Sequence, residues 1–280
     1  MGTVADTINA DITTSSQEVI LRVDNISIVF GGLRAVSNFS CELVKGELIG
    51  LIGPNGAGKT TVFNMLSGVY TPTEGTITFI DKTGNSHIAN RMRPHQLAKT
   101  GITRTFQNIR LFGNLTVMDN VRIGLHSQRE INPLDTMFRT PRFYTDEARL
   151  YEKALNLLEL FQLDDKKDEL AKNLPYGEQR KLEIARALAN DPFLLLLDEP
   201  AAGMNPQETQ ELMDLIKQIR QQFNLTILLI EHDMKLVMGI CERIIVLDYG
   251  KTIAAGLPAA IKANPAVIKA YLGEEAMIDA

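Results

Sequence analysis

The chain has 280 residues, 45% of them apolar and 22% charged, with 29 basic against 34 acidic side chains and a formal charge of −5. That balance excludes a disordered chain, which needs few apolar residues and high net charge, and it leaves ample apolar material for a full core. It also speaks against bulk attraction to nucleic acid, and no nucleic-acid partner is expected. The two cysteines, Cys41 and Cys241, lie far apart and outside any C-x-x-C pattern, which argues against a zinc site or a disulfide framework.

In chain order, residues 1–18 are polar and acidic and read as a mobile tail. They lack the basic start and apolar stretch of a signal peptide, and no apolar run anywhere reaches the roughly 18 residues of a membrane span. The chain is therefore expected on the cytoplasmic side, with any membrane association supplied by a partner. Val19/Leu21/Val23, Ile26–Phe30 and Phe39/Cys41/Leu43 alternate at period two and read as antiparallel strands, broken at Asp24-Asn25 and at Gly31-Gly32. Glu47–Ile52 is a compact apolar strand that ends in a Gly-rich turn. Thr60–Ser67 then reads as a helix, and Thr76–Ile80 and Ile102–Phe106 as strands.

The stretch 116–172 is helical and more charged, with breaks at Asn132-Pro133 and Thr140-Pro141. Thr116 with Asp119 three residues on marks a helix start. Ala148, Leu150, Ala154, Leu157, Leu158 and Phe161 recur at helical spacing. After this insertion the α/β rhythm returns. Glu178–Ala189 reads as a helix and Phe193–Leu197 as a buried strand. A further helix is capped by Asn205, with Pro206 at its first position and Glu208 at its third. Thr226–Ile230 and Arg243–Leu247 are strands, Met234–Cys241 a helix between them, and Pro258–Leu272 one helix or two. Helices between wholly apolar strands imply a parallel sheet covered on both faces.

Three segments carry chemistry. Gly53-Pro54-Asn55-Gly56-Ala57-Gly58-Lys59-Thr60 fits G-x-x-x-x-G-K-[ST], between an expected strand and an expected helix. Its glycines let backbone N–H groups turn inward around phosphate oxygens, and the positive helix end adds to that field. Lys59 reaches the terminal phosphates and the Thr60 hydroxyl suits Mg²⁺. Leu194–Leu197 delivers Asp198 and Glu199 to the carboxyl end of a strand, where open α/β sheets bind ligands. Asp198 can hold Mg²⁺ through water, and Glu199 can polarise the water that attacks the γ-phosphate. Ile227–Ile230 runs into Glu231-His232-Asp233, which puts His232 just past another strand end.

With these residues the chain resembles the ATP-binding subunits of ABC transporters. Gly53–Thr60, extended to Thr61, matches Walker A, and Leu194–Glu199 matches Walker B with its catalytic glutamate. His232 falls on the switch histidine. Gln107 falls on the Q-loop glutamine, implied to touch Mg²⁺ and the attacking water and to sense the transmembrane partner. Phe30 falls on the aromatic that stacks on adenine, although an edge-strand core role is an open alternative. Leu174-Pro175-Tyr176-Gly177-Glu178-Gln179 occupies the place of the signature LSGGQ. Tyr176, Gly177 and Glu178 stand for its Gly-Gly-Gln and Pro175 for its Ser, so a hydroxyl implied to bind the γ-phosphate is missing. Within the family the chain is most similar to LivG-type ATPases of branched-chain amino acid importers. Phe30–Val36, Arg104–Asn108, Glu199–Pro206 and Ala270–Gly273 carry that likeness.

The resemblance implies an α/β P-loop NTPase of the ABC ATPase type. It would have a mostly parallel core sheet, an N-terminal antiparallel β part and a helical subdomain over 108–172. The domain would span 19–273, with a tail at 274–280. It implies ATP and Mg²⁺ as cofactors and two ATPase subunits closing head to tail, so that each ATP lies between one Walker A and the other signature. The implied partners are two transmembrane permeases, a second ATPase (LivF-like or a second copy) and, indirectly, a periplasmic substrate-binding protein. The place is peripheral, on the cytoplasmic face of the inner membrane. Other cargo, such as urea, amides or exported lipopolysaccharide, is an alternative, as is a soluble ABC-type ATPase outside transport.

Overall fold

The computed structural model describes residues 18–128 and 133–272. In chain order its strands are β1 (Val19–Phe30), β2 (Leu33–Val44), β3 (Leu48–Ile52), β4 (Glu74–Ile80), β5 (Ser86–Ile88), β6 (Ile102–Arg104), β7 (Leu194–Asp198), β8 (Thr226–Ile230), β9 (Arg243–Asp248) and β10 (Lys251–Gly256). Its α-helices are α1 (Lys59–Leu66), α2 (Pro94–Thr100), α3 (Val117–Gly124), α4 (Pro133–Phe138), α5 (Pro141–Leu160), α6 (Tyr176–Ala189), α7 (Pro206–Phe223), α8 (Met234–Ile240), α9 (Pro258–Lys262) and α10 (Pro265–Leu272). The expected tails at 1–18 (save Glu18) and 274–280, Asn132 of the Asn132-Pro133 break, and Gly273 lie outside the described residues. The chain forms two compact units, one from the residues up to Arg91 with those from Ile230 onward, the other Met92–Leu229.

The first unit is largely β. Its antiparallel sheet has the order β2-β1-β4-β5, the antiparallel N-terminal part that the alternating runs announce. Gly31-Gly32 turns β1 into β2, as expected. Asp24-Asn25 does not break the strand but makes a bulge inside it. Asn25 sits at φ 49, the register slips between Val23 and Ile26, and the Asn25 N–H donates to the Ser40 hydroxyl at 2.9 Å instead. The unit also holds β3 and β9 side by side and parallel, with β10 antiparallel on β9. All five residues of β3 are buried, as are Val62, Phe63, Met65 and Leu66 of α1, which follows it. Arg243, at the start of β9, grips the Glu47 carboxylate with Nε at 2.7 Å and Nη2 at 2.9 Å and donates to the Glu42 carbonyl at 2.6 Å. This two-pronged pair sits where β3 begins, so it helps fix which residues the two strands align.

The second unit holds β6 and β7, parallel and in register from Ile102 on Leu194 to Arg104 on Leu196. Every residue of β7 is buried, which explains its unbroken apolar run. Helix α3 packs on α5 and on α6. Its Gly124 lies so close to α6 that a Cβ there would stand 2.4 Å from the Arg186 carbonyl oxygen. The Thr116 hydroxyl caps α3 by accepting from the Asp119 N–H at 3.0 Å. Asn205 and Glu208 form a reciprocal capping box at α7. The helical stretch breaks at Thr140-Pro141 as expected: α4 ends at Phe138 and Pro141 opens α5, because a proline at the first helical position loses no hydrogen bond. Helix α6 begins at Tyr176, two residues earlier than expected, with Pro175 as its N-cap. Strand β5 and helix α2 were not visible in the apolar pattern, since β5 is a polar three-residue edge and α2 buries only Leu97.

Candidate functional site

In the first unit, β3 ends in the Gly-rich loop and α1 starts at Lys59. Gly53 has φ 151, and a Cβ there would lie 2.1 Å from the Leu247 carbonyl oxygen, so no other residue fits. Gly58, at φ 102, caps α1 and approaches the Ala35 carbonyl closely enough that a Cβ would stand 3.0 Å away. These contacts place the loop against β2 and β9. The buried Lys59 ammonium donates to the carbonyls of Gly53 at 2.7 Å and Pro54 at 2.9 Å. Its charge is thereby centred on the loop, over the first turn of α1, whose leading N–H groups have no carbonyl of their own helix to reach. Pro54 and Asn55 complete the bend.

A cavity of about 360 Å³ opens here, lined by Gly56, Ala57, Gly58, Lys59, Thr60 and Thr61 and by Leu33, Arg34, Ala35 and Tyr249. Its size is that of a small-molecule site. Arg34 is forked onto Glu74, with both contacts at 3.0 Å, and that bond holds the Glu74 carboxyl below its usual range. Phe30 is not in the cavity wall. It is 42% exposed and meets Tyr70 edge to face, with ring centroids 5.1 Å apart. His232 is exposed at the turn into α8, where Asp233 caps the helix by accepting from the N–H groups of Lys235 and Leu236.

In the second unit the structure brings several expected residues together. The Gln107 amide donates to Glu199 Oε2 at 2.8 Å. Glu199 sits at φ 47, a left-handed conformation that costs a non-glycine residue free energy and here turns the side chain at the strand end. Asp198 is buried and paired with Arg104, Nη2 to Oδ2 at 2.6 Å. In the signature segment Gly177 is buried, Tyr176 is half-exposed and lies against Gly203, and Glu178 pairs with Lys166 at 2.6 Å. The hydrogen bond that Lys166 donates to Glu178 raises its ammonium above the usual range. Three side chains, two in this unit and one at the cavity of the first, were given no site role by the sequence reading. Arg104 holds Asp198, Tyr249 borders the cavity, and Arg180 reaches the backbone at Phe106, Gln107 and Glu199. The only signals were weak: an Arg-Glu pair three apart on a helix, and an aromatic in a turn.

The sequence pattern of the family described as "ABC transporter" matches residues 36–202, and that of the "Branched-chain amino acid ATP-binding cassette transporter" matches residues 251–277. The chain is 48% identical over 255 residues to the high-affinity branched-chain amino acid transport ATP-binding protein LivG of Salmonella typhimurium, covering 91% of this chain and 98% of LivG. It belongs to the ABC transporter family. The ABC ATPase is also 45% identical over 255 residues to BraF of Pseudomonas aeruginosa, a protein of the same description, covering 91% and 98% of the two chains. A solved nucleotide-free ATP-binding cassette of an ABC transporter superposes with a TM-score of 0.77 at 30% identity, covering 91% of this chain and 100% of that one. The expected fold class and the LivG-type resemblance are both borne out. Among the described residues no helix of the ABC ATPase is long and apolar enough to cross a membrane.

Proposed function

We propose that this ABC ATPase hydrolyses ATP to power import of branched-chain amino acids, as a peripheral subunit on the cytoplasmic face of the inner membrane. The 2.8 Å contact between Gln107 and Glu199 carries the hydrolytic reading. It places a carboxylate that can accept a water proton beside an amide that can orient the same water. In this reading the Gly53–Thr61 loop and the Lys59 ammonium hold the β- and γ-phosphates, and Phe30 lies against adenine. His232 steadies the γ-phosphate. Tyr176, Gly177 and Glu178 close the site of a facing ATPase, LivF-like or a second copy. The full-length likeness to LivG and BraF supports the cargo, two permease partners and a periplasmic binding protein.

Mg²⁺ takes oxygen ligands and keeps several waters, binding through one or two protein groups together with phosphates. The chain fits that demand. The Thr60 hydroxyl in the cavity wall is one such oxygen, and Asp198, expected to act through water, is buried and paired with Arg104 at 2.6 Å. Bound there, Mg²⁺ would neutralise phosphate charge. Reconstitution with the permeases in proteoliposomes tests the reading. ATP turnover should rise when the binding protein carries leucine, isoleucine or valine. Turnover that responds to urea or to no amino acid refutes the cargo.

A further inference from the structure

We propose that Arg180, held in place by Glu183, is a positioning residue that ties the signature helix α6 to the Gln107–Glu199 pair. The inference rests on the reading of that pair as the hydrolytic one. Residues 106–111 have no regular secondary structure, and the β6–β7 ladder ends at the Thr105 N–H, which donates to the Leu196 carbonyl at 3.0 Å, so it does not fix the backbone at Gln107. Arg180 supplies what is missing. Its side chain is fully buried, and Nη1 donates to the Phe106 carbonyl at 2.6 Å and to Glu183 Oε2 at 2.8 Å. Nη2 donates to the Gln107 carbonyl at 2.8 Å and lies 3.5 Å from the carbonyl of Glu199. The other oxygen of Glu183 accepts from the Arg110 N–H at 3.2 Å. One planar fork thus touches the backbone of both members of the pair, while its counter-ion holds the same loop at Arg110, three residues past Gln107.

The arrangement is poorly suited to stability alone. The Arg180 Nε is buried and finds no acceptor. A buried ion pair also contributes little compared with well-packed apolar side chains of the same volume. Burial raises the Glu183 carboxyl above its usual range against the pull of Arg180. What the pair does give is a fixed distance between α6, which starts at Tyr176, and the two side chains that meet at 2.8 Å. Any movement of the signature helix is then transmitted to Gln107 and Glu199.

The test uses the subunit assembled with its permeases. Arg180→Met/Glu183→Leu removes both charges together and keeps the volume, so no lone buried charge is left. Arg180→Lys keeps the charge but cannot reach both carbonyls and Glu183 at once. In the double variant kcat should fall about 10- to 100-fold, as expected for a slight misplacement of reacting groups. Nucleotide Kd should stay within about threefold of wild type, and amide exchange at 107–110 should rise. Arg180→Lys should give an intermediate kcat. An unchanged kcat in either variant overturns the proposal, as does a parallel loss of kcat and nucleotide affinity. If the double variant does not fold, Arg180→Lys decides alone. Glu199→Gln in the same complex separates the two ideas: if it still turns over, the hydrolytic reading itself has failed.

Discussion

Replacing Lys59 with Met tests the phosphate loop most directly. The ammonium is buried and already makes two short hydrogen bonds, to the carbonyls of Gly53 and Pro54. Hydrogen bonds from a charged group contribute about 1.5–3 kcal/mol each. Two new contacts to phosphate oxygens would by that rule give about 3–6 kcal/mol. The loop carbonyls must be released first, however, so part of this gain is offset. A net loss on substitution of about 1.5–3 kcal/mol follows, and nucleotide affinity should fall about 10- to 150-fold. Met matches the stem of Lys in length, so packing survives. Two carbonyls lose a donor, at a cost of about 1–3 kcal/mol in the free protein, and Tm should drop by a few degrees. Equilibrium binding of a fluorescent ATP analogue, beside a thermal melt, reads both quantities. An affinity within threefold of wild type would refute the reasoning, since Lys59 would then not face the phosphates.

Glu199→Gln keeps the volume and an acceptor for Gln107 but cannot take a proton. ATP turnover should fall by at least about 100-fold with binding nearly unchanged, and unchanged turnover would move the proton acceptor elsewhere. Gly53→Ala should abolish folding or cost well over 3 kcal/mol, because its Cβ meets a backbone oxygen at 2.1 Å. Gly56→Ala meets nothing within 4 Å and is strained only by its φ of 79, so it should cost roughly 1 kcal/mol. Melts that rank the two the other way contradict the loop geometry. Hydrogen bonds from Thr83 and His87 hold the Asp81 carboxyl below its usual range. A depressed folded value stabilises the protein at pH above the ordinary carboxylate range of about 4 and is lost as pH falls below it. Asp81→Asn should therefore flatten the acid limb of stability against pH, and an unaltered limb would exclude Asp81 as a contributor.

The loop and strand motifs were legible because their chemistry is local. A phosphate-holding turn needs glycines at fixed offsets, and four consecutive leucines between helical stretches read as a strand buried on both faces, which delivers Asp198 and Glu199 to its end. Caps at Thr116 and Asn205 were legible for the same reason, since a cap and the N–H that donates to it lie three residues apart. Other features depend on partners far along the chain. Alternation alone does not tell a turn from a bulge at Asn25, because the difference lies in whether Ser40 takes its N–H. The sequence places Phe30 on an aromatic position, but only packing against Tyr70 settles which face its ring presents. Nothing in the residues around Gln107 reveals that a side chain 73 positions later holds that segment in place. Spacing along the chain is fixed by covalent geometry, whereas the meeting of Arg180 with Gln107 and Glu199 exists only once helix, loop and strand have packed and excluded water.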